Sequence, residues 1–227
     1  TANFTDVVDN DHFHFASSMY TVAKFEQSNG LGSLNATRYQ YDGAMYNSQG
    51  RGFRGFRSIT QIDEANSNVE TKTTFLQKFP FSSQIEEQTV SKSGSNTPFS
   101  IQTNTWARNT AHQAIDNKLW HIYSPESRSI TCDLSSTNCA WDNSLSQSET
   151  LINQSDLDRY GNISTKVSTQ SDEYGIHITT TKAQFDSAAW PHKPVWQMVE
   201  QSVINQGTRP GTTSRQNIET NTDKRTT

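Results

Sequence analysis

Side chains in this chain change sides with period two almost from end to end, and no other feature constrains its fold as strongly. In NATRYQYDG, residues 35–43, Thr37, Tyr39 and Tyr41 share one face and Arg38 and Gln40 the other, with Asp42 and Gly43 as the turn. FRSITQID follows, closed by EANSN; then VETKTTFLQKF sets Val69, Thr71, Thr73 and Phe75 on one side before Pro80. QIEEQTVSKS, SIQTNTWARN, KLWHIYS, RSITCDL, NISTKVSTQS and GIHITTTKAQF repeat the pattern, each bounded by Gly, Asn, Asp, Ser or Pro. The i, i+3, i+4 spacing of an amphipathic helix is nearly absent, and only NTAHQAIDNK offers a helical turn. These spacings predict an all-β chain of consecutive antiparallel hairpins.

Composition says what kind of sheet. Only 31% of the 227 residues are hydrophobic, where globular domains run at roughly 45–50% apolar. A thick dry core is therefore excluded. With 10% aromatics, 11 glycines and 6 prolines the chain is no flexible linker either, so we expect ordered sheet that is wet on much of both faces. A formal net charge of -4 and a pI near 5.8 give no basic field for nucleic acid. No apolar run reaches the roughly 20 residues of a membrane-spanning helix. The opening TANFTDVVDN has neither Met nor a signal-peptide pattern and reads as a piece excised from something longer.

In QGRGFRGF, Gly50, Gly52 and Gly55 carry the G-x-G-x-x-G spacing of a dinucleotide-binding turn. That turn works only between a buried strand and a helix N-terminus, whose free amides hold the pyrophosphate. Here a polar loop precedes the block and an alternating strand follows it, with the bulky Arg51, Phe53 and Arg54 between the glycines. The expected role is structural: glycines at positive φ in a tight bend, Phe53 and Phe56 packed on neighbouring strands, and arginines reaching solvent or acids. Stacking on RNA through Arg51, Arg54 and Arg57 is a weak alternative on an acidic chain.

Other candidate chemistry does not assemble. His12 and His14 share a strand face beside Asp9 and Asp11 but lack an evident third metal ligand. His112, His121, His177 and His192 are scattered, without a nucleophile-elbow motif. Glu86-Glu87 and Asp172-Glu173 are adjacent, and neighbours on a strand face opposite ways, so neither pair forms a two-carboxylate site. Trp106, Trp120, Trp141, Trp190 and Trp196 fit cross-strand packing; as exposed platforms they would instead make a carbohydrate-binding module. Cys132 and Cys139 are spaced for a strand-turn-strand, which leaves a disulfide and two free thiols equally open. The expectation is no catalytic, cofactor or metal site.

The stretch from Thr37 to Pro80 joins a Y-x-Y-x-G turn, a G-R-G-F-x-G-F block, an acidic turn, a Thr-rich strand and a terminal F-P. It resembles the segment where RHS/YD-repeat proteins of the insecticidal Tc-toxin B-component type enter their repeats. The residues carrying it are Tyr39, Tyr41, Asp42, Gly43, Gly50, Arg51, Gly52, Phe53, Gly55 and Phe56. DRYGN, with Asp158, Tyr160, Gly161 and Asn162, is similar to the family's repeat hairpin, and SAAWPHKPVWQ to one of its strands, with His192 and Lys193 where a glycine is often found. The resemblance implies an entry segment over 1–36 and a hairpin repeat region over 37–204; the polar stretch 205–227 reads from its composition as a tail or linker, with a few Thr and Ile residues that leave a short strand open. The resemblance further implies a curved open sheet, part of a secreted virulence toxin's hollow shell that encloses a toxic polypeptide. Partners would then be the rest of the parent protein, the enclosed toxin, other toxin-complex subunits and, through open sheet edges, a second copy; no cofactor, nucleic acid or membrane span is implied. A carbohydrate- or protein-binding β module is the alternative.

Overall fold

The computed structural model describes residues 11–95, 97–112, 121–186, 190–205 and 212–218. Among the described residues the fold is all-β, with helix limited to three short 3-10 turns. None is long and apolar enough to cross a membrane. The chain divides into two compact units, residues 1–103 with 131–143, and residues 104–130 with 144–227.

Unit 1 opens with β1 (His12–His14), β2 (Lys24–Ser28), β3 (Leu34–Asp42), β4 (Met45–Asn47) and β5 (Gly52–Phe53). It continues with β6 (Ser58–Asp63), β7 (Val69–Phe75), β8 (Ile85–Lys92) and β9 (Ser100–Asn104). Its main sheet runs β2-β3-β6-β7-β8-β9, every described pair antiparallel. The turn at Asp42-Gly43 does not close a two-residue hairpin. Gly43 takes φ 67° and its N–H bonds the Asp42 carboxylate, and the chain leaves the sheet there for a separate three-stranded sheet, β1-β4-β5. It returns as β6 to pair with β3, setting Tyr41 opposite Ile59. Alternation in β3 falls as expected, Thr37, Tyr39 and Tyr41 half-buried and Arg38 and Gln40 exposed. Strand β7 ends at Phe75 beside a register shift, short of the expected stop at Pro80. The sheet also starts earlier than position 37, since β2 and the first residues of β3 already belong to it.

Unit 2 holds a short pair, β10 (Ala107–Arg108) with β11 (Ile122–Tyr123), so SIQTNTWARN is split between two sheets by a break at Thr105-Trp106. The expected helical stretch is a single 3-10 turn, Thr110–His112; the remainder of it, and the start of KLWHIYS, lie outside the described residues. Then come β12 (Glu126–Thr131), β13 (Ser146–Leu151), β14 (Thr165–Asp172), β15 (Gly175–Asp186), β16 (Trp190–Asn205) and β17 (Thr212–Ile218), hydrogen-bonded in that order as an up-and-down meander. Strand β17 lies in the segment expected to be a polar tail: Thr212–Ile218 pairs with Gln197–Val203 of β16. Among the described residues β2 is an outer strand of the unit 1 sheet and β17 of the unit 2 meander, and neither is closed into a barrel.

Little apolar material is enclosed. Among the described residues the buried hydrophobics are Ala36, Met45, Ile62 and Cys132 in unit 1 and Ile130, Leu157 and Met198 in unit 2. Almost as many buried residues are polar: His12, Asn47, Ser58, Gln77, Asn109 and Asn162. Backbone ladders and satisfied side-chain hydrogen bonds carry much of what a dry core does elsewhere.

Candidate functional site

The G-R-G-F-x-G-F block is a folded knot beside the sheet in unit 1. Gly50, Gly52 and Gly55 all take positive φ, 86°, 68° and 85°, a conformation that costs any residue with a Cβ. This lets the chain reverse within a few residues and set its phenylalanines against neighbouring rings, Phe56 half-buried and Phe53 still 40% exposed. Phe53 meets Phe15 and Phe56 edge-on at 5.3 and 5.6 Å, and Phe56 packs on Tyr41 of β3 at 4.8 Å. The aromatic chain Phe15–Phe53–Phe56–Tyr41 thus ties the small sheet to the large one. Nothing in it resembles a phosphate cradle.

The arginines between the glycines hold the loop that follows β7. Arg51 lies over the Phe79 ring, 3.5 Å from its centroid. Arg54 donates from Nε to the Gln77 carbonyl at 3.3 Å and from its terminal nitrogen to Ser82. Burial, and secondarily the charge of Arg51, hold the Arg54 pKa below the usual arginine value. Arg57 donates to the Phe75 carbonyl and to Glu86, each at 2.5 Å. Glu86 is thereby an ion-pair partner within a strand.

Gln77 is the residue that sequence reasoning missed. At 5% exposure, its amide donates to the carbonyls of Gly43 at 2.6 Å and Gly55 at 2.9 Å, joining the Asp-Gly turn to the end of the glycine block. A glutamine inside an F-L-Q-K-F run carries no sequence signal of that role. Gly43 has its own constraint, because a Cβ there would run into the Arg57 side chain.

In unit 2 the DRYGN turn is held by one carboxylate. Asp158 accepts from the backbone N–H groups of Tyr160 and Asn162, at 2.8 and 2.9 Å, and from the Asn162 amide at 2.7 Å. Asn109, fully buried, donates to the Asp158 carbonyl at 2.9 Å, and Asn162 hydrogen-bonds His192 at 3.0 Å. Gly161 takes φ 84°, and a Cβ on it would overlap the His121 ring. The turn stands between a 3-10 turn, Gln154–Asp156, and β14, flanked by one bridge, Leu157 to Ile163. It is a packed corner and not the tip of a long ladder. That tip is at Asp172, whose carboxylate accepts from the N–H groups of Tyr174 and Gly175 at the β14–β15 reversal.

Cys132 and Cys139 are disulfide-bonded. His12 hydrogen-bonds Asn47 at 3.3 Å inside the small sheet. Among the described residues no three His, Cys, Asp or Glu converge as metal ligands; Asp9 lies outside them. Trp106, Trp141 and Trp196 are half-buried, while Trp120 and the Trp190 side chain lie outside the description.

The sheet faces are the other chemical feature. Registers in unit 1 set Asp42, Ser58, Thr74 and Glu87 in one transverse row and Gln40, Thr60, Lys72 and Thr89 in the next. These strands form a shallow polar groove of about 510 Å³. In unit 2 one face carries the row Thr150, Ser168, Thr179, Gln201, with Thr150 and Ser168 hydroxyls 3.0 Å apart. The opposite face carries Glu149, Thr169, Ile178 and Ser202.

Comparison with known proteins places this geometry. Residues 13–82 match the family model described as the insecticide toxin TcdB middle/N-terminal region. This is the stretch holding the glycine block, and the Tc-toxin B-component resemblance is borne out there. The fold is similar to the crystal structure of TcdB2-TccC3-Cdc42, at 11% identity and TM-score 0.54, covering 76% of this chain and 12% of that one. It is similar in the same proportions to TcdB2-TccC3, at 12% identity and TM-score 0.54, and to TcdB2-TccC3 without its hypervariable C-terminal region, at 11% identity and TM-score 0.53. The chain thus spans 12% of the length of the solved chains it matches, and at these identities the likeness is one of fold. No curated protein matches it.

Proposed function

We propose that this chain is a wall section of the secreted RHS-type β shell of an insecticidal toxin complex, contributing enclosure and no catalysis. The single observation that carries the reading is the predominant polarity of both sheet faces, seen in the row through Thr179 and in the row through Thr169, where Ile178 is the one apolar member. A packed sandwich fills one face with Leu, Ile and Val; hydroxyl and amide rows suit a surface wet on both sides, as the wall of a water-filled container is. The family match over residues 13–82 and the likeness to TcdB2-TccC3 support the same reading. By that likeness the partner is a TccC-type subunit, and the cargo a polypeptide held inside. In YD-repeat terms, the DRYGN corner is one repeat and the knot at residues 42–82 the entrance to the series. The disulfide accords with an oxidising, extracellular setting.

The test uses the parent protein assembled with its TccC-type partner. Protease should leave the enclosed polypeptide intact in the wild-type assembly and digest it when Gly161→Val opens the wall. Digestion in the wild-type assembly, or full protection after the wall is opened, would contradict enclosure.

A further inference from the structure

Strand β2 presents a complete hydrogen-bonding edge. The Ala23 carbonyl accepts from Tyr39 N–H at 2.9 Å and the Asn29 N–H donates to Ser33 at 3.0 Å, so the odd-numbered residues bond inward to β3. The N–H and C=O groups of Lys24, Glu26 and Ser28 therefore point away from the sheet. Among the described residues β2 pairs only with β3, and all five of its residues are exposed. Such an edge templates another strand.

Its charges select the strand. Lys24 and Glu26 lie on one face, joined at 2.8 Å, and Phe25, 54% exposed, lies on the other. An antiparallel copy of β2 keeps the bonding parity in symmetric registers centred on any of its five residues; axes at Gln27 and Ser28 set Glu26 against Ser28 or Gly30 and pair no opposite charges. A two-fold axis at Lys24 sets lysine against lysine, and one at Glu26 sets glutamate against glutamate. An axis at Phe25 sets Lys24 against Glu26 of the second copy, twice, and brings the two Phe25 rings together as a non-hydrogen-bonded pair, the closest kind. We infer that a second copy of this chain docks edge to edge through β2 in that register, extending the sheet across a two-fold axis. The inference rests on this edge and is independent of the enclosing role.

Sedimentation of the 227-residue chain between about 10 µM and 1 mM, the range suited to a small interface, should show reversible dimerisation. Lys24→Glu or Glu26→Lys alone should weaken it about tenfold or more by setting like charges opposite. The double exchange K24E/E26K should restore it, and a mixture of the two single variants should form a heterodimer. Glu26→Pro removes an outward N–H without touching a β2–β3 bond, and should abolish dimerisation while leaving the melting temperature of the monomer unchanged. A chain monomeric throughout, a dimer indifferent to Glu26→Pro, or single reversals that the double exchange does not rescue would each overturn the inference.

Discussion

Residues 42–82 of unit 1 and the β13–β17 meander of unit 2 are both built from Thr, Ser, Gln and aromatics, yet they are held in different ways. The first is fixed by particular side chains: Gln77 bonded to two carbonyls, Arg51 and Arg54 on the loop after β7, Arg57 on the end of β7 and on Glu86, and an aromatic chain from Phe15 to Tyr41. The second is fixed by long ladders, with ten registered partners in one uninterrupted run between β15 and β16, from Gly175 to Gln184, before two register shifts. A knot demands identities, whereas a ladder demands only extended backbone and side chains that tolerate a pleated surface. The family match covers residues 13–82, which include the knot, while the fold likeness covers 76% of the chain.

Substitutions can break that contrast. The largest effect is expected at Gly161→Val, which forces a branched side chain into positive φ against His121 and should cost about 3 kcal/mol or more in denaturant unfolding; a neutral result would remove the corner from the account. Gln77→Ala should cost about 2 kcal/mol, from two lost hydrogen bonds at a buried site. Thr179→Ser, within the ladder of unit 2, should change stability by about 0.5 kcal/mol or less, and a cost equal to that of Gln77→Ala would erase the distinction. The smallest effect is electrostatic. The Arg38 hydrogen bond foremost, with Lys24 adding to it, holds the Glu64 carboxyl below the ordinary glutamate value. Its contribution is present above that ordinary value of 4.5 and is lost as pH falls through the depressed one. Wild type should thus lose slightly more stability than Glu64→Gln between pH 6 and about pH 3, measured by thermal melts at both.

Much of this was legible in the sequence wherever alternation met a turn residue. β3, β6, β7, β8, β14 and β15 stand where period two and the Gly, Asn and Asp clusters set them. Strand β13 was not, because SQSETL has one aliphatic residue in six and reads as loop until β14 pairs with it. Strand β17 was half legible: the polar tail reads as a linker in which a few Thr and Ile residues leave a short strand open, and pairing with β16 decides for the strand. Tertiary pairing overrides local propensity in both cases. The role of Asp42-Gly43 was half legible: its chemistry announces a turn, but whether the chain returns at once or after a detour depends on Gln77, far along the sequence. For the glycine block the sequence already excludes a strand-to-helix turn, because a polar loop precedes it and an alternating strand follows, while the partners of its arginines emerge only in three dimensions.

The central proposal, a wall wet on both sides of an enclosing shell, is tested most directly by cryo-electron microscopy of the proposed parent protein assembled with the TccC-type subunit proposed as its partner. The account predicts that this segment forms part of the shell, with one hydroxyl- and amide-bearing sheet face toward the interior and the enclosed polypeptide's density on that side. A segment lying on an outer appendage, with both faces in bulk solvent and the polypeptide elsewhere, would contradict it.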